Sequence, residues 1–314
     1  MNSEIKLFGG RSSKELAEKI ADAYDQPLSE VEVLVFSDGE FQPQLKESVR
    51  GHHVFLIQST TAPSDNIWEL LMLIDAAKRA SAKYITVIIP YYGYARQDRK
   101  DRSRVPIAAK LMANMLVGAG ANRLMTMDLH APQIQGFFDI PVDHLDSSLI
   151  FVPYIQSLEL PNLAFASPDA GSANRTRLFA QKCGNAGLVI CEKYRKKAGE
   201  VAGMTVIGDV EGKNVVIVDD IVDSAGTLTS AAKALKEKGA ESVRAICTHP
   251  VLSGNAYERV ENSALTELVV CDTIPLKQKC TKINVLSVAP LFGKSIKRLL
   301  ENRSISSLFI QKHR

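Results

Sequence analysis

Short apolar runs alternate with amphipathic runs along nearly the whole chain. The apolar runs are rich in Val, Ile and Leu on both faces, the pattern of strands covered on both sides. They predict strands near Ile5–Phe8, Glu32–Phe36, Val54–Gln58, Tyr84–Ile89, Arg123–Met127 and Val142–His144. A second series falls near Ala164–Ser167, Gly187–Glu192, Val206–Gly208, Val215–Val218, Val243–Thr248, Glu267–Cys271 and Ile283–Ser287. The amphipathic runs predict helices over Ser13–Ala23, Ile67–Ala80, Ile107–Val117, Ser172–Lys182, Thr227–Lys238, Ala256–Glu261 and Leu291–Glu301. Strand and helix in turn give an α/β protein with largely parallel sheets flanked by helices.

The two halves share a rhythm. His53-Val-Phe-Leu-Ile-Gln58 leads through a polar loop and a helix to the strand ending at Ile89, and Asn214-Val-Val-Ile-Val-Asp219 does the same before Thr248. Both units then reach a proline, Pro90 or Pro250. Internal duplication accounts for this, although any two βαβ units share the outline. The first copy has no acid pair in its loop. Pro141 to Pro161 is the expected junction between the halves.

Candidate chemistry concentrates after the strand at Val215–Val218. Asp219, Asp220 and Asp223, the hydroxyls of Ser224 and Thr227, and Gly226 follow in order. Ligands of parallel sheets bind beyond the carboxyl ends of the strands. There the acids can accept hydrogen bonds from vicinal sugar hydroxyls. The free N–H groups of the helix opening at Ser224 to Thr227 can hold a phosphate. Together they suit a sugar phosphate.

Other runs carry charge or turn chemistry. Arg96-Gln-Asp-Arg-Lys-Asp-Arg-Ser-Arg104 packs five cations and two acids between a strand and a helix. Such runs are usually solvated, but arginine also pairs bidentately with phosphate oxygens. Met127-Asp-Leu-His130 places an imidazole at a strand's carboxyl edge, where it could meet a metal or a phosphate. Ser167-Pro-Asp169-Ala170-Gly171-Ser172 is a tight loop opening a helix, able to offer N–H groups to a pyrophosphate. Asp169 there could hold Mg²⁺. Lys193 and Arg195 share one side of an extended segment, which suits charge developing on a transferring phosphoryl group. No Walker A loop is present: Gly293-Lys294-Ser295 has its ending, but Val288 stands where a glycine is required.

Composition narrows the picture only slightly. The 314 residues are 46% hydrophobic and 23% charged, ordinary for a globular chain with ample core. A net charge of +3 gives no argument for nucleic acid or membrane. Five cysteines lack metal spacing. The first residues lack a signal peptide's pattern, and no apolar run is long enough to span a bilayer. A cytoplasmic location is expected, with no nucleic-acid and no membrane partner.

The Asp219–Thr227 signature resembles that of type I phosphoribosyltransferases and of PRPP synthetases, and alone it does not separate them. Further runs resemble class I ribose-phosphate pyrophosphokinases from the N-terminus to the tail. They are Phe36-Ser-Asp38-Gly-Glu40, Glu47-Ser-Val-Arg-Gly51, Tyr94-Ala-Arg-Gln-Asp-Arg-Lys100, Asp128-Leu-His130, Gln133-Ile-Gln-Gly-Phe-Phe138, Lys193-x-Arg195 and Ser304-Ile-Ser-Ser-Leu-Phe309. The resemblance implies two similar phosphoribosyltransferase-type domains, residues 1–147 and 148–298, with a tail at 299–314 packing back on the first. It also implies transfer of a diphosphoryl group from ATP to ribose 5-phosphate, giving PRPP and AMP.

Site roles follow from the same resemblance. Phe36, Asp38 and Glu40 of a neighbouring subunit would hold adenine. Arg96, Gln97, Asp98, Arg99 and His130 would bind ATP. His130 and Asp169 would hold Mg²⁺, and Asp169, Ala170, Gly171 and Ser172 form the pyrophosphate loop. Asp219, Asp220, Asp223, Ser224, Ala225, Gly226 and Thr227 would hold ribose 5-phosphate, with Lys193 and Arg195 catalytic. Hexamers, activation by inorganic phosphate and inhibition by ADP are also implied. Ser48, Arg50, Ser103, Arg104, Gln135, Asp143, Ser304, Ser306 and Phe309 match regulatory positions. Ser172, Tyr194 and Gly199 depart from the family pattern; Ser172 stands where a second glycine is usual, and its Cβ is expected to crowd the loop. A type I phosphoribosyltransferase or a non-catalytic PRPP-binding homologue is the alternative.

Overall fold

A computed structural model describes residues 5–194 and 203–308, the side chain of Tyr194 excepted. In chain order the elements are β1 (Ile5–Gly9), α1 (Lys14–Tyr24), β2 (Val31–Val35), β3 (Phe41–Leu45), β4 (His53–Ile57), α2 (Asp65–Arg79), β5 (Tyr84–Ile89), α3 (Ala108–Ala119), β6 (Arg123–Met127) and β7 (Val142–Leu145). Then come α4 (Ser148–Ser157), β8 (Leu163–Ser167), α5 (Ala173–Lys182), β9 (Gly187–Tyr194), β10 (Gly203–Ile207), β11 (Asn214–Val222) and α6 (Gly226–Glu237). The remainder is β12 (Ser242–Pro250), α7 (Ala256–Glu261), β13 (Glu267–Cys271), β14 (Ile283–Leu286) and α8 (Ala289–Leu300).

The chain divides into two units. Unit 1 comprises residues 1–146, 273–275 and 288–314, and unit 2 comprises 147–272 and 276–287. The sheet of unit 1 has the order β1-β4-β5-β6-β7, every neighbouring pair being parallel. That of unit 2 has the order β10-β9-β8-β11-β12-β13-β14. Within it, β8-β11-β12-β13-β14 repeats the order of unit 1 in parallel pairs, whereas β10 joins β9 antiparallel. The internal duplication read from the sequence is thus visible strand by strand.

Each unit has its own core. Leu56, Leu70, Val87 and Leu116 meet in unit 1, and Val215, Ile217, Leu235 and Ala245 in unit 2. Each buried Leu, Val or Ile side chain contributes about 1.5–3 kcal/mol by leaving water. The expected second domain ran to residue 298, but α8 belongs to unit 1. Its apolar face, with Leu291, Phe292 and Ile296, packs on the buried face of α1, Leu16, Ala17 and Ile20. The helices approach closely at Gly293, where a Cβ would stand 2.9 Å from the backbone of Ala23.

Two elements were absent from the sequence reading. Strand β3 contains Pro43 between Gln42 and Gln44; among the described residues its one partner strand is β2, so the proline interrupts no second ladder. Helix α4 contains Pro153 and an apolar run without clear periodicity, which hid it. Among the described residues no helix is long and apolar enough to cross a membrane.

Candidate functional site

Strand β11 carries the acid pair. It was expected to stop at Val218, but it stays extended to Val222 because β12 keeps pairing with it as far as Val222↔Pro250. Its other neighbour, β8, pairs only to Ala166↔Ile217. Asp219 and Asp220 therefore lie on the strand, just past the point where β8 has turned away into the loop at Ser167. The loop returns to them: Ser172 Oγ donates to Asp219 Oδ1 at 3.1 Å. The sugar-phosphate and pyrophosphate candidates of unit 2 thus converge, although forty-seven residues separate those two.

The loop is held by its own side chains. The Ser172 N–H donates to Asp169 Oδ1 at 2.9 Å, and the Ser167 hydroxyl donates to the Asp169 carbonyl. Ser172 has φ −84° and ψ −1°, ordinary helical geometry. Its backbone therefore does not require a glycine, and its hydroxyl is placed on the acid pair.

Electrostatics at the pair are unfavourable. Burial, the Asp220 charge and a hydrogen bond with Asp220 push the Asp219 carboxyl up to about 8. Asp220 is 5% exposed, with the Arg175 guanidinium of α5 at 3.9 Å. The native protein therefore keeps a proton on Asp219 that the unfolded chain has lost above pH ~4. Stability is greatest below that pH and falls as pH rises through about 8. The slope is at most about 1.4 kcal/mol per pH unit. Urea unfolding at pH 5, 6.5 and 8 should show this loss in the wild type and a flatter profile in Asp219→Asn. Equal slopes would contradict the assignment.

Beyond the acids, Ala225 takes the left-handed conformation (φ 59°) and α6 begins at Gly226, one residue earlier than expected. The loop is braced from the turn after β12. Leu252 N–H donates to Val222 O and Ser253 N–H to Asp223 O, each at 3.0 Å. The Ser253 hydroxyl donates to Asp223 Oδ1, and Arg259 Nη1 to Ser224 O at 2.9 Å. Arg175, Ser253 and Arg259 were not found from the sequence. The available signal was the carboxyl edge of β12, where Pro250 is followed by a Ser-Gly-Asn turn.

Lys193 is the last residue but one of β9, exposed, where the strand has left β8 and pairs with β10, opposite Met204. Arg195, Gly199 and Phe309 lie outside the described residues.

In unit 1, β2 and β3 form a separate hairpin whose turn carries Phe36, Asp38 and Glu40, all exposed. Phe36 N–H donates to Glu40 O at 2.7 Å, and Glu40 N–H to Asp38 Oδ1 at 3.0 Å. Arg11 ties this hairpin to the body: Nε meets the fully buried Glu69 carboxylate at 2.7 Å, and its guanidinium lies 4.5 Å from the Phe41 ring centre. Arg96, Gln97 and Arg99 are exposed in an irregular loop, with Asp98 half-buried. Gln133 Nε2 reaches Asp98 Oδ2 at 3.4 Å. His130 stands exposed beyond β6, next to Leu129, whose N–H donates to His144 Nε2 at 2.9 Å.

The expected regulatory residues of unit 1 fall in several places. Arg50 Nη1 donates to Ser81 Oγ at 3.3 Å, near exposed Ser48. Ser103 and Arg104 end the cationic loop. Gln135 contacts His144 Nδ1 at 3.3 Å, while Asp143 binds Arg123 at 2.8 Å. The Ser304 carbonyl accepts from Arg298, and Ser306 opens a short 3-10 turn.

The counterpart of the acid pair in unit 1 is Gln58-Ser59, both fully buried. Ser59 N–H donates to Ser13 Oγ at 2.8 Å, and Ser59 Oγ donates to Thr273 O at 2.6 Å. Gly10 leaves room beside it: a Cβ there would fall 1.7 Å from Gln58 Oε1, so the buried amide would have to move. The duplicated site is filled by the chain itself. Among the described residues, no group of three or more His, Cys, Asp or Glu side chains is placed to hold a metal.

Comparison with known proteins agrees with this architecture. Residues 5–120 match the N-terminal domain of ribose phosphate pyrophosphokinase, and residues 185–310 match a phosphoribosyl synthetase-associated domain. The ribose-phosphate pyrophosphokinase of Wolinella succinogenes is 55% identical over 306 residues, spanning 97% of this chain and 99% of that one. That of Campylobacter jejuni is 54% identical over the same shares. The crystal structure of phosphoribosylpyrophosphate synthetase from Mycobacterium smegmatis superposes with a TM-score of 0.90 at 38% identity, covering 96% of this chain and all of that one.

Proposed function

The chain belongs to the ribose-phosphate pyrophosphokinase family, and from that premise we propose that it transfers the β,γ-diphosphoryl group of ATP to the 1-hydroxyl of ribose 5-phosphate. The products are PRPP and AMP. The carrying observation is the convergence of the Asp169–Ser172 loop on Asp219 within unit 2. A sugar's hydroxyls and the diphosphate added to it need adjoining sites, and these two elements adjoin. Neither a transferase that consumes PRPP nor a non-catalytic regulator is favoured, because near-full-length relatives carry the pyrophosphokinase name.

Catalysis then rests on positioning and charge, as phosphoryl transfer requires. Asp219 and Asp220 accept the ribose hydroxyls. The first-turn N–H groups of α6 lack carbonyl partners one turn back, so they and the Asp223–Thr227 loop hold the 5-phosphate. The Asp169–Ser172 loop holds the diphosphate. Lys193 and Arg195 neutralise charge that develops on the transferred group. Arg96, Gln97, Asp98 and Arg99 bind the triphosphate, and the exposed Phe36 turn of another subunit clasps adenine, which makes the enzyme a homo-oligomer, a hexamer by family analogy.

Mg²⁺, when bound, screens the triphosphate oxygens. It takes one or two carboxylates together with substrate phosphates and water rather than a complete protein cage. Exposed Asp169, with one oxygen anchored by the Ser172 N–H, fits that demand, and His130 is the proposed second contact. Inorganic phosphate as activator and ADP as inhibitor are assigned to Ser48, Arg50, Ser103, Arg104, Gln135, Asp143, Ser304, Ser306 and Phe309. A cytoplasmic site of action suits a supplier of nucleotide precursors.

Chromatography of the nucleotides after incubation with ATP, Mg²⁺ and ribose 5-phosphate tests the proposal. AMP should appear only when the sugar phosphate is present. ADP in its place would overturn it.

A further inference from the structure

The sugar-phosphate loop has an unusual shape to maintain. Ala225 sits at φ 59°, a conformation that costs an alanine of order 1 kcal/mol or more. It is retained because neighbouring groups hold both sides. On one side Thr229 N–H donates to Ala225 O at 2.9 Å, capping α6. On the other, the segment from Leu252 to Arg259 runs along the loop and binds Val222, Asp223 and Ser224 in succession. The last of these contacts is made by a cation. Arg259 Nη1 donates to Ser224 O at 2.9 Å and lies 3.6 Å from the position a Cβ on Gly226 would take. The guanidinium therefore lies against the first residue of α6, beside the N–H groups that would receive an anion.

Arg259 has capacity beyond this one bond. A guanidinium carries five N–H donors in a plane, and Arg259 is exposed. Its own backbone is fixed, since its N–H donates to Asn255 O at 3.0 Å within the start of α7. Of the acids nearby, Asp223 is bonded to Ser253, and Glu261 faces Cys280 and Thr281. What directs the Arg259 guanidinium at the loop is the bond of its Nη1 to the Ser224 carbonyl.

We propose that Arg259 is a positioning residue of the sugar-phosphate site. It holds the Ser224 carbonyl outward so that Gly226 and Thr227 present their N–H groups, and it adds positive charge beside the place of a phosphate monoester. The inference rests on the reading of Asp223–Thr227 as the 5-phosphate loop and names a residue outside that loop which sets its affinity. Its effect falls on the sugar phosphate and not on ATP, because every contact described lies on the Ser224–Gly226 backbone.

The test compares wild type, Arg259→Gln and Arg259→Lys. Calorimetric titration with ribose 5-phosphate gives affinity; steady-state rates give kcat and both KM values; thermal melting reports folding. Arg259→Gln should weaken ribose 5-phosphate roughly tenfold, the worth of one charge-assisted hydrogen bond at an exposed site. Its kcat and KM for ATP should stay within about twofold, and its salt dependence of sugar-phosphate binding should be shallower than wild type's. Arg259→Lys should recover part of the affinity, since it keeps the charge but not the fork. Unchanged affinity in Arg259→Gln would overturn the proposal. So would a parallel loss of both KM values and melting temperature, which marks a purely structural role. A wild-type protein that binds no ribose 5-phosphate would instead remove the reading of the loop itself, and this inference with it.

Discussion

Lys193→Ala should lower kcat by about 10²–10³ while leaving both KM values within a few-fold, the signature of a donor that acts on charge present only in the transition state. The lysine stands on an arm of the sheet. β9 leaves the body of the sheet after Ile190, where its pairing with β8 ends, and continues as one strand of a two-stranded arm. Lys193 is exposed near the end of that arm. An exposed cation on an arm contributes little to folding, so the melting temperature should hardly move. A variant with unchanged kcat would exclude Lys193 from the reaction. A variant with raised KM and unchanged kcat would assign it to ground-state binding.

Asp220→Asn should raise the KM for ribose 5-phosphate about ten- to a hundredfold with a smaller change in KM for ATP. A hydroxyl bonded to a carboxylate loses about 1.5–3 kcal/mol when the charge is removed. Asparagine is chosen because Asp220 is 5% exposed and has Arg175 as a neighbour. Alanine would leave that arginine facing a void and confound binding with stability. The same substitution removes the charge that raises the Asp219 carboxyl, so the Asp219 proton should leave at lower pH. A pH profile of kcat/KM for ribose 5-phosphate should shift accordingly. An unmoved KM would place the sugar elsewhere.

Much of this site was legible because the chemistry is local. Three acids, two hydroxyls and a glycine between Asp219 and Thr227 follow one strand and open one helix, so spacing alone brings them together. The apolar runs located most of the strands for the same reason: a buried parallel strand has no polar face to disguise it. What stayed hidden depends on partners distant in sequence. The extension of β11 through the acid pair is imposed by β12, not by its own residues. Spacing marks Ser172 only as a serine where a second glycine is usual, and its distance to Asp219 shows what its hydroxyl does. Arg259 and Ser253 reach the loop from thirty or more residues away. Helix α8 carries a clear amphipathic pattern, but the pattern does not say that α1 is the surface it covers.

Phosphorus NMR of a reaction containing ATP, ribose 5-phosphate, Mg²⁺ and inorganic phosphate tests the central claim most directly. Diphosphoryl transfer predicts growth of AMP together with two coupled resonances of a diphosphate attached at ribose C1. ADP with a single new phosphate on the sugar would contradict it, and so would absence of turnover in protein that binds both substrates.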